Sequence, residues 1–261
     1  MLRRVFCLSL VGCSIGPAFA IADESVNTID LAGRQRMLSQ RIAKAYAQIG
    51  ANVLPGLSAK VLRDSIADFS QQQEQLRTVA TLPDQQKLIA VIDGQWAEVL
   101  AITNIPVDRG RAAELQSKVN AMERLSSQLT YLLRGAHSFK MGKLINVAGR
   151  QRMLSQRLAK AYMLRAWGVD IPNLRIEMAI AADEFSSALL VLQQAPENTP
   201  GIQRELDSIT TQWDWFQTAV DLEGTFSYRV LIADSSEALL SSLENLVVSY
   251  SRLPGVGTAL R

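Results

Sequence analysis

The chain has 261 residues, 27 of them basic and 25 acidic, with a formal charge of +2 and 48% hydrophobic content. So even a balance excludes a nucleic-acid binder built on a basic surface. Past the first 20 or so residues no apolar run reaches the about 20 residues that a bilayer crossing needs.

The N-terminus reads Met-Leu-Arg-Arg, then an apolar run from Val5 through Ile15, then Ala18-Phe19-Ala20. This order of charged, apolar and small residues is that of a secretory signal peptide. Residues 1–22 are therefore expected to be a leader and the protein to be periplasmic. The small-x-small sites ending at Ala20 and Ala22 put the mature N-terminus at Ile21 or Asp23. The alternative is a lipoprotein cut before Cys13. Both cysteines, Cys7 and Cys13, lie inside the leader, so the core is expected to hold without disulfides. Losing Arg3 and Arg4 leaves the mature chain formally neutral.

An internal repeat organises the rest. Residues 31–46 read LAGRQRMLSQRIAKAY and residues 147–162 read VAGRQRMLSQRLAKAY, differing only by two aliphatic exchanges. The same offset pairs Phe69-Ser70 with Phe185-Ser186, and one inserted residue pairs Gln95-Trp96 with Gln212-Trp213. The expected units are residues 23–139 and 140–261. Breaks at Pro55-Gly56, Leu82-Pro83-Asp84 and Ile105-Pro106 cut the first into four helical segments. Breaks at Ile171-Pro172, Asn198-Thr199-Pro200-Gly201 and Glu223-Gly224 do the same for the second. Apolar spacing such as Ile66, Phe69, Gln73 and Leu76, or Leu239, Leu243, Leu246 and Tyr250, is helical. The fold predicted is all-α: two tandem antiparallel four-helix bundles packed as a pseudo-two-fold pair. A turn between Gly135 and Gly142 is expected to reverse the chain between units.

On a helical projection the motif separates into faces. Leu31, Leu38, Ile42, Ala45 and Ile49 form an apolar stripe facing the helix's own bundle. Met37, Arg41, Lys44 and Gln48 fall on a side expected to reach water. Between them lies a face of small residues, Ala32, Ser39 and Ala43, with Arg36 at its centre. Ala148, Ser155 and Ala159 repeat that face around Arg152. If these small faces pack together, two guanidinium groups meet in a partly buried interface and an anion is needed between them. The planar fork of arginine suits a small inorganic oxyanion. A carboxylate from another helix is the alternative neutraliser.

At these residues the sequence resembles the periplasmic sensor domain of nitrate and nitrite sensor kinases (NarX type) and of the type IV pilus chemoreceptor (PilJ type). Their Ala-Gly-x-x-Arg-Met-x-Ser-x-Arg pattern stands here from Ala32 to Arg41 and from Ala148 to Arg157. The resemblance implies a four-helix bundle and ligand binding by Arg36 and Arg152 at a two-fold interface, with Gly33 and Gly149 beside them. It implies that two halves of one chain replace two subunits.

The function expected is an exported sensor that binds a small oxyanion, nitrate or nitrite, and reports to a separate membrane sensor kinase or chemoreceptor. The alternative class is a ligand-free interaction module that dimerises with a receptor's own sensor domain. A homodimer is a further expected option, and no cofactor or metal is expected. An enzyme is argued against, because the mature chain carries a single histidine, His137, in a turn, and no nucleophile motif or metal-ligand cluster. Asp183-Glu184 are adjacent and so splayed around a helix, which reads as a solvated face. The tryptophans are expected to be core or interface anchors.

Overall fold

A computed structural model describes residues 18–134, 140–221 and 226–253, with the backbone alone for residues 18–27, 134, 140 and 141. The described residues form eight α-helices and no strand: α1 (Ala18–Gly50), α2 (Pro55–Val79), α3 (Pro83–Thr103), α4 (Ala112–Arg134), α5 (Lys140–Ala166), α6 (Leu174–Gln193), α7 (Pro200–Asp221) and α8 (Phe226–Ser251).

The helices begin where local chemistry dictates. Pro55, Pro83 and Pro200 each open a helix, where a missing N–H costs nothing and a fixed φ is already helical. Thr199 accepts a hydrogen bond from the Ile202 amide through its hydroxyl, capping α7. Both motif helices end in the same turn. Asn52 (φ 56°) and Gly168 (φ 76°) take the left-handed conformation at equivalent positions. The next amide then reaches back five residues, Val53 to the Gln48 carbonyl at 2.8 Å and Val169 to the Leu164 carbonyl at 3.0 Å, closing the helix end.

In the first half α1 packs on α2 and α4, and α3 packs on α4 and α2; in the second, α5 packs on α6 and α8, and α7 on α8 and α6. Each half is a four-helix bundle. Equivalent stacks hold each core: Phe69 on Trp96 with ring centroids 4.2 Å apart, and Phe185 on Trp213 at 3.8 Å. In both stacks the indole N–H donates to a serine one position on, Ser70 or Ser186. The motif glutamines tie to the same places, Gln35 to the Phe69 carbonyl and Gln151 to the Phe185 carbonyl. Such matching of polar contacts makes the two bundles copies in geometry as well as in sequence.

The bundles join through extensive packing of α1 on α5. Helix α4 runs antiparallel to α1, since Gln40 reaches Val119 while Tyr46 reaches Asp108. Helix α5 runs parallel to α1, since Arg36 faces Arg152 and Gly50 faces Trp167. Chain direction therefore reverses between Arg134 and Lys140. The connecting residues, with His137, lie outside the described residues. So do the expected leader's residues 1–17 with Cys7 and Cys13, and the break at Glu223-Gly224. The α1 backbone is helical across both expected cleavage sites.

Candidate functional site

Arg36 and Arg152 leave the two motif helices toward each other across the α1–α5 interface. Both are buried, with 4% and 1% of their surface exposed. Gly33 and Gly149 make the room. A Cβ on Gly33 would stand 3.2 Å from Nη2 of Arg36 and 4.0 Å from Nη2 of Arg152; on Gly149 it would stand 3.3 Å and 4.0 Å from the same two atoms in reverse. Both guanidinium ends therefore lie within 4.0 Å of common points, closely enough for one small group to touch both.

The helices place these side chains by their own geometry. Helical side chains lean toward the N-terminus, so each arginine reaches back along the partner helix. Arg36 Nη2 donates to Asn146 Oδ1 at 3.1 Å, and Arg152 Nη2 donates to Asp30 Oδ1. Asp30 and Asn146 are equivalent positions, each one residue ahead of its motif. The two-fold relation thus holds in geometry and breaks in charge. Asp30 Oδ2 also accepts from Arg34 Nε at 3.2 Å.

The anion expected between the arginines is met on one side by this carboxylate, because a side chain within reach of a buried guanidinium offsets desolvation at no cost in association. Arg36 makes no ion pair among the described residues. Burial lowers its pKa to about 10; Glu123 on α4 opposes the shift by charge from beyond contact, while Arg150 and Arg152 reinforce it. Arg36 Nε and Arg152 Nε and Nη1 are buried and have no hydrogen-bond partner. Donors left this way are costly unless something accepts from them.

The small residues Ala32, Ser39, Ala43, Ala148, Ser155 and Ala159 are all buried on these two helices. The two serines turn inward on their own helices, Ser39 to the Arg36 carbonyl at 2.8 Å and Ser155 to the Arg152 carbonyl at 2.9 Å. They satisfy backbone and leave the space between the arginines to the guanidinium groups.

On the side of the motif expected to reach water, Arg41 does so in part, its side chain 19% exposed, and the rest does not. Met37, Lys44, Gln48 and their counterparts Met153 and Lys160 are buried. The projection of one helix against one bundle missed that each motif helix is covered by its own bundle and by the other. Lys44 bonds Ser236 at 2.9 Å and pairs with Glu237 on α8, which Arg41 also holds. Lys160 bonds Asn120 on α4 at 2.7 Å and Glu177 on α6 at 2.9 Å, which Arg157 and Gln116 also hold. Asn120 occupies the position equivalent to Glu237. Where the acid is missing there, Glu177 supplies the charge from another helix.

Burial dominates both lysines and lowers their pKa, that of Lys160 to about 8. Burial alone would raise the Glu237 carboxyl, but the Lys44 ammonium and then Arg41 hold it down at about 2. These clusters fasten α1 to α8 and α5 to α4, across the two bundles. Arg150 pairs with Glu184 at 2.8 Å, on the solvated face read for Asp183-Glu184. Of the tryptophans, Trp96 and Trp213 are buried in the core, whereas Trp215 is 72% exposed and is not a core anchor.

Sequence reasoning missed Asp30, Asn146, Glu237 and Glu177. For the first two a signal existed: extending the repeat by one residue aligns Asp with Asn, side chains of one shape that both present an oxygen. The acids Glu237 and Glu177 carried none, since they lie in helices whose sequences have diverged.

Among the described residues no helix is long and apolar enough to cross a membrane, and no group of three His, Cys, Asp or Glu could hold a metal. No curated protein and no solved structure matches the chain. A family model does match, twice in tandem, over residues 18–124 and 131–244: the N-terminal domain of type IV pili methyl-accepting chemotaxis transducers. The match is to the pilus transducers, and the likeness to nitrate and nitrite sensor kinases rests on the motif alone. Between them the two matches span most of the sequence, α1 to α4 and α5 to α8, so the chain belongs to the family of type IV pilus chemotaxis transducer N-terminal domains, a signalling rather than catalytic family, and carries that domain twice.

Proposed function

We propose that this protein is an exported sensory module in which one small monovalent oxyanion, nitrate or nitrite first, is held jointly by Arg36 and Arg152. Gly33 and Gly149 give the anion access between the guanidinium groups. The observation that carries the reading is the pair of buried, facing arginines with three guanidinium nitrogens left unpartnered. Arg152 shares its one carboxylate with Arg34, and Arg36 has no ion pair among the described residues, so the contact is cationic and suits a small anion. The units are taken as residues 23–139 and 140–261, behind a leader of residues 1–22, and the output lies in a membrane chemoreceptor or sensor kinase.

Ligand binding confined to the folded state raises stability by about 2.7 kcal/mol at 100 times the dissociation constant. Melting curves in nitrate, nitrite and chloride at equal ionic strength separate this from screening. An increase in melting temperature of several degrees with nitrate or nitrite over chloride is expected. Equal curves in all three salts would remove the reading.

A second reading has its own observation: Asp30 already bonds Arg152. In that case the arginine pair is structural, and the protein acts as a ligand-free module that docks on a receptor's sensor domain. Equal melting curves, together with binding to such a domain, would favour it.

A further inference from the structure

Asp30 stands at the edge of the arginine pair with one oxygen on Arg152 and the other on Arg34. Its side chain is 24% exposed, whereas that of Arg152 is 1% exposed. On its outer side it lines a polar groove of about 350 Å3 between α1 and α2, together with Arg34, Asp68, Gln71, Gln72 and Gln75. The carboxylate therefore separates this groove from the buried donors of Arg152. Its equivalent, Asn146, meets Arg36 with a neutral amide.

We infer that Asp30 is a tethered competitor for the anion site, a gate that the ligand must displace from Arg152 on its way in from the α1–α2 groove. This rests on the reading of Arg36 and Arg152 as an oxyanion site and names the residue that sets its affinity. Displacement does not strand the carboxylate, because Arg34 already holds its second oxygen. An incoming anion gains the Nη2 donor that Asp30 gives up, beside the Nε and Nη1 donors that have no partner. The asymmetry of the two halves follows from this role. Two asparagines would leave both arginines open, and two aspartates would pair both; one of each leaves Arg36 without an ion pair beside an Arg152 held by a displaceable lock. Asp68 in the groove wall adds a second negative charge along the route and disfavours anions of higher charge.

The test is nitrate and nitrite titration of the full chain by calorimetry, for wild type, Asp30→Asn and Asn146→Asp. Asp30→Asn keeps the shape and removes the charge. Its affinity is expected to rise by about tenfold or more, the worth of one charged hydrogen bond regained, while its melting temperature without ligand falls. Asn146→Asp gives Arg36 a carboxylate of its own; its melting temperature is expected to rise and its oxyanion affinity to fall by a similar factor. Should Asp30→Asn not fold, the opposite signs in Asn146→Asp decide. Wild-type binding that Asp30→Asn leaves unchanged or weakens, or that Asn146→Asp leaves unchanged, would overturn the gate while keeping the site. Absence of specific binding in all three proteins would overturn the site itself.

Discussion

The Asp30 carboxylate accepts from Arg152 Nη2, while its structural counterpart Asn146 offers Arg36 only an amide oxygen, 3.1 Å away. The two halves are superficially interchangeable at this interface, yet one arginine is charge-paired and the other is not. That difference gives the two arginines different expected roles in folding.

Without ligand, Arg36→Met is expected to be neutral or to stabilise the protein by up to about 2 kcal/mol, since an uncompensated buried charge is replaced by apolar volume. Arg152→Met is expected to cost about 1–2 kcal/mol, the loss of a charged hydrogen bond whose other partner stays held by Arg34. Urea denaturation of both variants measures the difference. Equal effects would mean that the Asp30 contact contributes nothing.

Glu237 predicts a response to acid. Its carboxyl sits at about 2 in the folded protein, below its ordinary value of 4.5. A depressed carboxylate stabilises the fold above the unfolded value and loses that contribution as pH falls from about 4.5 to about 2. The contribution is roughly 2–3 kcal/mol for a side chain that water still partly reaches. Glu237→Gln should lower stability by that order at pH 7 and flatten the acid limb of a stability-against-pH curve. An unchanged limb would show that the Lys44 and Arg41 pairing is not formed.

Parallel packing of α1 and α5 brings Gly50 against the Trp167 ring, where an added Cβ would lie 2.1 Å from the indole. Gly50→Ala is therefore expected to cost about 1–3 kcal/mol by overpacking. Combining it with Trp167→Ala should recover part of that loss, a coupling that a double-mutant cycle measures. Additive effects would place the two residues apart.

The leader reading predicts a mature N-terminus at Ile21 or Asp23, read by intact mass of protein recovered from the cell envelope. A mass carrying lipid on Cys13, or the uncut leader, would contradict it.

The repeat made the fold legible, because a 16-residue near-identity with flanking pairs at one offset demands two similar bundles. Proline and glycine then marked helix starts such as Pro55, Pro83 and Pro200. The facing of Arg36 and Arg152 was legible too, since small residues surround each on a common face. Less visible was the fate of Lys44 and Lys160. A projection shows which residues share a side of one helix, but not that a second bundle covers that side and brings Glu237 to it. Asp30 and Asn146 were hidden because strict identity ends at Ala32 and Ala148, two residues after them, and Asp and Asn themselves differ.

The most direct test of the central claim is the stoichiometry of nitrate or nitrite binding, by calorimetry at fixed ionic strength. Two arginines acting on one anion predict one site per chain in wild type, lost in Arg36→Ala and equally in Arg152→Ala, with little further loss in the double variant. Two sites per chain, with each single variant keeping one at unchanged affinity, would contradict the shared site.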